Sequence, residues 1–161
     1  MNKYRPHILV LAEDDANKDV ANGFMLHHEI DLRQTTILPV AGGWPKVRET
    51  LLSEYVQTMR KYPTRHLVLM VDFDEQKDRC EIMTAEVPAD VAERIFVVGF
   101  WSAPEGLSGT GLGSKETVGL RLANECIDET KDVWNHDLLA HNSGELDRMS
   151  AQLRSICFSS S

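Results

Sequence analysis

Four short apolar runs divide the chain at regular intervals. They are HILVLA (7–12), TTILPVA (35–41), HLVLMVDF (66–73) and IFVVGFW (95–101). Short apolar runs rich in β-branched residues are typical of strands that are covered on both faces of a parallel sheet. Pro39 lies within the second run and favours an edge strand or a strand end, because proline cannot donate a hydrogen bond to the sheet.

The segments between and after these runs have helical spacing. The predicted helices span about 15–29, 46–61, 80–94, 114–129 and 144–157. The second is the clearest, since Val47, Leu51 and Tyr55 recur at four-residue steps on one side. Pro88 interrupts or begins part of the third helix, and Ser114 is a suitable cap for the fourth.

This alternation of strands and helices predicts the fold class. It favours an α/β protein with a mostly parallel four-stranded Rossmann-like sheet, helices on both faces and extra C-terminal helices. A chain of 161 residues without repeats or linkers is predicted to form a single domain. Its core would span about 7–110 and its helical C-terminal extension about 114–158. Ligands of such sheets bind at the carboxyl ends of the strands.

The composition of the chain bears on membrane association, secretion and cellular location. The longest apolar run is far shorter than the 18 residues or so of a membrane span, so no membrane partner is expected. The first run ends in charged residues without a cleavage site, which argues against a signal peptide. Cys80, Cys126 and Cys157 are widely spaced and are interpreted as reduced thiols, so the predicted location is cytoplasmic.

The net charge of −8 bears on the choice of partner. An acidic chain does not coat nucleic acid passively, because phosphate groups need lysine and arginine nearby. A bound divalent cation reverses the charge locally. The charge therefore excludes a nonspecific nucleic-acid-binding protein and leaves room for a metal-dependent enzyme that acts on phosphates.

Acidic residues stand at the ends of two predicted strands. Glu13 follows the first run, and Asp72 and Asp74 end the third. Because side chains alternate along a strand, Asp72 and Asp74 are expected to point to the same side. Three neighbouring carboxylates repel each other, and a hard cation such as Mg²⁺ or Mn²⁺ removes that conflict. The alternative is that the two aspartates only cap the following helix.

Three motifs of the chain resemble the Toprim fold. They are ILVLAE followed by a helix, PVAGGW entering a second helix, and LVLMVDFDE. This fold is shared by topoisomerases, bacterial primases, small RNA-maturation nucleases and overcoming-lysogenization-defect nucleases. The resemblance covers about 7–110, and its Glu, Gly and Asp-x-Asp positions match Glu13, Gly42 or Gly43, and Asp72 with Asp74.

The resemblance implies a nuclease-like hydrolase with a metal site. Glu13 would ligate the metal or act as general acid or base, and Asp72 and Asp74 would hold it. The nuclease members also carry a Glu after the fourth strand, which Glu105 matches. They often carry a second acid four residues after the first Glu, where this chain has Asn17. The expected substrate is nucleic acid, presented by a partner protein or by a homodimer.

Other residues complete the predicted site. Backbone N–H groups of Gly42 and Gly43 lie before a predicted helix and could approach a phosphate, although the same pair could form a plain turn. The glycine-rich segment 108–115 lacks the spacing of a P-loop and is interpreted as a flexible loop. Lys115 at its end is a candidate catalytic residue, and Lys115 or Arg79 would steady the charge that develops on a phosphate.

Two alternatives to the nuclease stay open. One is a non-catalytic Toprim-like module for assembly or regulation, which Asn17 and the acidic charge favour. The other is a receiver-like signalling domain, because LAEDDAN is similar to the acidic first turn of receivers and Asp72 would then accept a phosphoryl group. Receivers need a lysine after a fifth strand, and no clear fifth run precedes Lys115.

Overall fold

The sheet has four parallel strands in the spatial order β2-β1-β3-β4. The computed structural model describes residues 5–102 and 111–158. The strands are β1 (His7–Ala12), β2 (Thr35–Ile37), β3 (Arg65–Met70) and β4 (Ile95–Val98). This arrangement, with helices on both faces, confirms the predicted α/β class and the Rossmann-like parallel sheet.

The helices follow the predicted order with different bounds. They are α1 (Asp15–Phe24), α2 (Trp44–Thr50), α3 (Val56–Lys61), α4 (Arg79–Thr84), α5 (Ala89–Ala92), α6 (Lys115–Asp128) and α7 (Ser143–Cys157). A π-helical stretch, Leu51–Tyr55, joins α2 to α3, so the predicted helix over 46–61 forms with a widened middle. Pro88 is the N-cap of α5 and separates it from α4. None of these helices has the length and apolar content needed to cross a membrane.

The two faces of the sheet carry separate cores. On the α2–α3 face, Leu67 and Leu69 of β3 pack against α2, α3 and the short helices α4 and α5. On the α1–α6 face, Val68 and Phe96 pack with residues of α1, α6 and α7. Adjacent strand residues therefore serve opposite cores, as the pleat of a strand requires.

Helices α1 and α6 cross at unusually short range. A Cβ atom added to Gly23 would lie 2.0 Å from the carbonyl oxygen of Glu116, and one added to Gly119 would lie 2.0 Å from that of Val20. Only glycine permits this approach. The crossing fixes α1, and with it the residues at its amino-terminal end, against the rest of the α1–α6 face.

The outer edge of β4 is covered by side chains from the C-terminal region. Glu145 Oε2 accepts a hydrogen bond from the N–H of Val97 at 2.8 Å. Asn142 accepts one from the N–H of Gly99 at 3.1 Å and donates one to its carbonyl oxygen at 2.9 Å. The N–H of Trp101 donates to the Leu138 carbonyl oxygen at 2.7 Å. These bonds replace those of a further strand, which satisfies the backbone at this edge.

Candidate metal site

Three carboxylates meet where β1 and β3 end. Glu13 follows β1 directly, Asp14 is the N-cap of α1, and Asp72 lies two residues after β3. One oxygen from each of them lies within 4.8 Å of the others. We call these three residues the acidic cluster. The parallel sheet brings them together because the carboxyl ends of neighbouring strands share one edge.

Asn17 is hydrogen-bonded to two carboxylates of the acidic cluster. Its side chain is fully buried, and its Nδ2 donates to Oδ1 of Asp14 at 2.9 Å and to Oδ1 of Asp72 at 3.1 Å. The backbone N–H of Asn17 also donates to Asp14, as the capping of α1 requires. The amide oxygen, by contrast, has no hydrogen-bond partner. A buried polar oxygen without a partner costs free energy unless a ligand supplies the missing contact.

Glu13 has a strongly shifted pKa. Burial raises the pKa of its carboxyl from 4.5 to about 7, the hydrogen bond from the N–H of Asp72 lowers it, and the carboxylates of Asp72, Asp14 and Asp74 add to the increase. That hydrogen bond reaches Glu13 Oε1 and ties the end of β1 to the residue after β3. Near neutral pH, Glu13 is therefore close to the midpoint of its titration.

Asp74 lies apart from the acidic cluster. Its φ is 50° and its side chain is 53% exposed, forming an ion pair with Arg79 at 2.9 Å. The predicted alternation holds for Val71 and Phe73, which are both buried in the core of the α2–α3 face. It stops there because β3 ends at Met70 and the backbone turns at Asp74 into the left-handed region. The geometric cluster therefore has Asp14 as its third carboxylate where the sequence suggested Asp74, and metal binding by Asp74 stays a prediction.

Arg79 holds the turn after β3 in place. Its Nη1 donates to the Asp72 carbonyl oxygen at 2.7 Å and to Asp74 Oδ2 at 2.9 Å. The guanidinium lies over the ring of Trp44 at 4.4 Å and is almost fully buried. Arg79 was expected to bind phosphate, and in this structure the bonds of its Nη1 are internal. Phosphate binding by Arg79 stays a prediction.

The glycine pair before α2 also makes internal bonds. The N–H groups of Gly42 and Gly43 both donate to the carbonyl oxygen of Glu13, at 2.9 and 2.8 Å. Both glycines have positive φ, 96° and 102°, a conformation that favours glycine. The turn therefore positions Glu13, and the binding of phosphate by these two N–H groups stays a prediction.

Lys115 and Glu105 were also predicted to belong to the site. Lys115 is the first residue of α6, and among the described residues no contact joins it to the acidic cluster. Glu105 belongs to 103–110 and lies outside the described residues, together with most of the glycine-rich segment.

Sequence reasoning did not place Asp14 in the cluster and regarded Asn17 only as a missing acid. A usable pattern was present, because Asp14 and Asn17 have the i, i+3 spacing of an N-cap and its bonded residue. Such a cap at the end of a buried strand places both side chains beside Glu13.

A comparison of the chain with known protein families, with curated proteins and with solved structures found no match. The oxygen atoms of the site therefore indicate which ion it could hold. Carboxylate and amide oxygens are hard ligands, suited to Mg²⁺ or Mn²⁺, and the cluster contains no sulfur or imidazole.

Proposed function

We propose that this protein is a Mg²⁺- or Mn²⁺-dependent enzyme that cleaves phosphodiester bonds in nucleic acid, as its resemblance to Toprim nucleases implies. The observation that carries the proposal is the buried amide of Asn17, whose Nδ2 bridges two of the three clustered carboxylates while its oxygen has no partner. Without it, a group of acids at a sheet edge would have a purely structural explanation.

The residues present fit a hard divalent cation. Three carboxylates within 4.8 Å of one another repel each other unless a positive charge lies among them. In the absence of a cation, the Asn17 Nδ2 carries out part of that task by bridging Asp14 and Asp72. A rotation of the amide would present its oxygen as a fourth ligand and would end its isolation. We infer that Glu13, Asp14, Asp72 and Asn17 hold the ion.

Beside the ion, side chains of the protein would handle the proton and position the ligands. A divalent ion in such a site supplies Lewis-acid stabilisation of a phosphoryl oxygen and lowers the pKa of bound water. The N–H of Asp72 holds Glu13 in one orientation, and Glu13 would ligate the ion or act as general base or acid. Arg79 and Trp44 fix the loop that presents Asp72. Because the chain carries a charge of −8, a partner chain or a second copy would help to bring the substrate.

The test is a cleavage assay with purified protein on labelled single- and double-stranded DNA and RNA. Cleavage should require Mg²⁺ or Mn²⁺ and should fail with Ca²⁺, which prefers more ligands and looser geometry. Asp72→Asn should abolish it. Asp15→Asn is the matched control, because Asp15 is an exposed neighbouring acid outside the cluster and its loss changes the net charge equally. Activity that survives Asp72→Asn would assign the reaction to another site.

Metal binding is measured separately, by calorimetry with Mn²⁺. Binding that disappears in Asp72→Asn but not in Asp15→Asn supports the site itself. A protein that binds no metal and cleaves no substrate would overturn the proposal.

A second candidate is a metal-binding module without catalysis. It is supported by the donors near the acidic cluster, since the N–H groups of Gly42 and Gly43 and the Nη1 of Arg79 already make internal bonds. Site-specific metal binding without cleavage, tested also with a partner that presents nucleic acid, would favour it. The receiver-like alternative predicts that acetyl phosphate labels Asp72, although this side chain is largely buried.

A further inference from the structure

A partly open apolar space lies within the core of the α1–α6 face. Its volume is about 140 Å³, and it is bounded by the sheet on one side and by α1, α6 and α7 on the other. Val10, in the middle of the central strand, and Val98 of β4 form part of its wall. We call this space the apolar cavity. Natural cores seldom contain a void much larger than a water molecule.

The wall of the apolar cavity is uncharged apart from one paired residue. Burial raises the pKa of the Cys126 thiol to about 11 and that of the Cys157 thiol to about 12, so both are neutral at physiological pH. Arg154 borders the cavity, but its guanidinium is bonded to Glu129 Oε1 at 2.8 Å and to the Ile127 carbonyl oxygen at 3.2 Å. An anionic head group would therefore have to displace an existing ion pair, and a neutral occupant would not.

Water is a poor occupant of this space. A buried water needs two to four polar partners. Thr35 lines the cavity, and its buried hydroxyl forms no hydrogen bond of normal geometry, although it interacts with the nearby thiol of Cys157. A single hydroxyl and weakly polar thiols cannot satisfy a water cluster, so the cavity favours an apolar occupant that leaves room for one polar atom at Thr35.

The lining is adaptable and reaches the surface. Met25, Met70 and Met149 all border the cavity, and unbranched thioether side chains rearrange readily around ligands of different shape. All three are only partly buried, and the neighbouring Ser150 on α7 is exposed. A small molecule therefore has a route of entry along α7 that does not require the sheet to open.

We propose that the apolar cavity is a binding site for one small uncharged molecule, aromatic or alkyl, of about the size of benzene. An apolar space of about 150 Å³ accepts benzene in another protein, where it was made by substitution. Here the space is formed by the natural sequence. The proposal concerns a different part of the molecule from the acidic cluster and does not depend on the proposed function.

The methionines allow a direct test. The full-length protein is labelled with ¹³C at its methionine methyl groups and titrated with benzene, and the methyl resonances are followed by NMR. The resonances of Met25, Met70 and Met149 should shift and reach saturation at millimolar benzene or below. Those of Met59 and Met83, which are fully buried in the core of the α2–α3 face, should not move. Pyrazine, a polar ring of similar size, is the matched ligand control and should shift none of them.

A cavity-filling variant gives the second arm. Ala21→Leu places additional carbon atoms in the cavity from α1 and should weaken benzene binding at least tenfold. Ala151→Leu is the matched control, since Ala151 is exposed on the opposite side of α7 from the lining and its enlargement should leave binding unchanged. If Ala21→Leu does not fold, the pattern of methionine shifts in the unaltered protein decides alone. Shifts that are absent, or that are equal at all the buried methionines, would overturn the proposal.

Discussion

The acidic cluster lies where β1 and β3 end, and the apolar cavity lies on the α1–α6 face of the same sheet. The two regions differ in their charge and in how densely they are packed. In the cluster, the amide of Asn17 bridges two carboxylates while its own oxygen has no partner. In the cavity, apolar walls enclose about 140 Å³ without filling atoms. The first region concentrates negative charge, and the second contains unfilled apolar volume. Stability should therefore respond to pH and cations at the cluster, and to apolar molecules and side-chain volume at the cavity.

The largest expected loss of stability follows a substitution in the filled core of the α2–α3 face, and the same substitution beside the cavity should cost less. Val97 and Val98 are neighbours in β4, but Val97 packs in the core of the α2–α3 face and Val98 borders the cavity. Val97→Ala should cost about 2.5 kcal/mol and Val98→Ala about 1 kcal/mol, because atoms beside a void have fewer contacts to lose. Urea unfolding of both variants measures the difference. Equal losses would show that the cavity is filled in solution.

The next effect isolates the charge of the cluster. The folded-state pKa of Glu13 is raised to about 7, so folding takes up a proton between pH 4.5 and 7. The contribution of Glu13 to stability is therefore complete below pH 4.5 and is lost as the pH rises through 7. Glu13→Gln resembles the protonated form and should remove this decline, and the variant should be more stable than the original protein by about 2 kcal/mol at pH 8.

Unfolding of the original protein and of Glu13→Gln in parallel, from pH 4 to pH 8 without divalent ions, measures that difference. Asp15→Asn is the control for net charge and should keep the decline. Parallel curves for the original protein and Glu13→Gln would mean that Glu13 titrates normally.

A smaller effect comes from completing the set of acids. Asn17→Asp replaces the bridging amide by a fourth carboxylate, which should destabilise the metal-free protein by about 1 kcal/mol through repulsion. The same change should strengthen Mn²⁺ binding by about tenfold, since affinity rises with ligand charge. Thermal melts with EDTA and with Mn²⁺ should therefore shift in opposite directions. A loss of stability in both conditions would indicate that Asn17 has only a structural role.

The smallest effect concerns the aspartate that lies outside the cluster. Asp74→Asn should change the free energy of unfolding by about 0.5 kcal/mol, because the carboxylate of this ion pair is half exposed and water screens it. It should also leave Mn²⁺ binding in calorimetry within about twofold of the original value. A loss of binding as large as that of Asp72→Asn would place Asp74 among the ligands after all.

The sequence predicted the sheet well because its strands are strongly apolar and β-branched. Residues 7–12 form β1 as expected, and the expected association of Glu13 with Asp72 follows from parallel strands alone. The position of Asp74 could not be predicted, because the strand pattern gives no indication that the backbone enters a left-handed turn there. The hydrogen bond from Arg79 to the Asp72 carbonyl oxygen could not be predicted either, because it depends on how α4 packs beside Trp44.

The cavity was beyond sequence reasoning for another reason. Apolar spacing identifies the residues that face a core, such as Val10 and Leu153, but it does not give the distance between the elements that carry them. On the α1–α6 face, for example, the separation of α1 from α6 depends on Gly23 and Gly119, whose lack of a Cβ brings these two helices together. A pattern of apolar positions predicts which residues belong to a core, but it does not predict how densely that core is packed.

The covered edge of β4 has a consequence for the newly made chain. Asn142 and Glu145 are more than 40 residues away from the strand whose backbone they satisfy. A ribosome-bound chain that has released β4 but not α7 therefore exposes a hydrogen-bonding edge that can recruit the strand of another chain. Translation pauses between residues 101 and 142 would lengthen that exposure, and chaperone binding would be most useful in this interval. The segment that carries Asn142 and Glu145 thus protects this edge only after it has been synthesised.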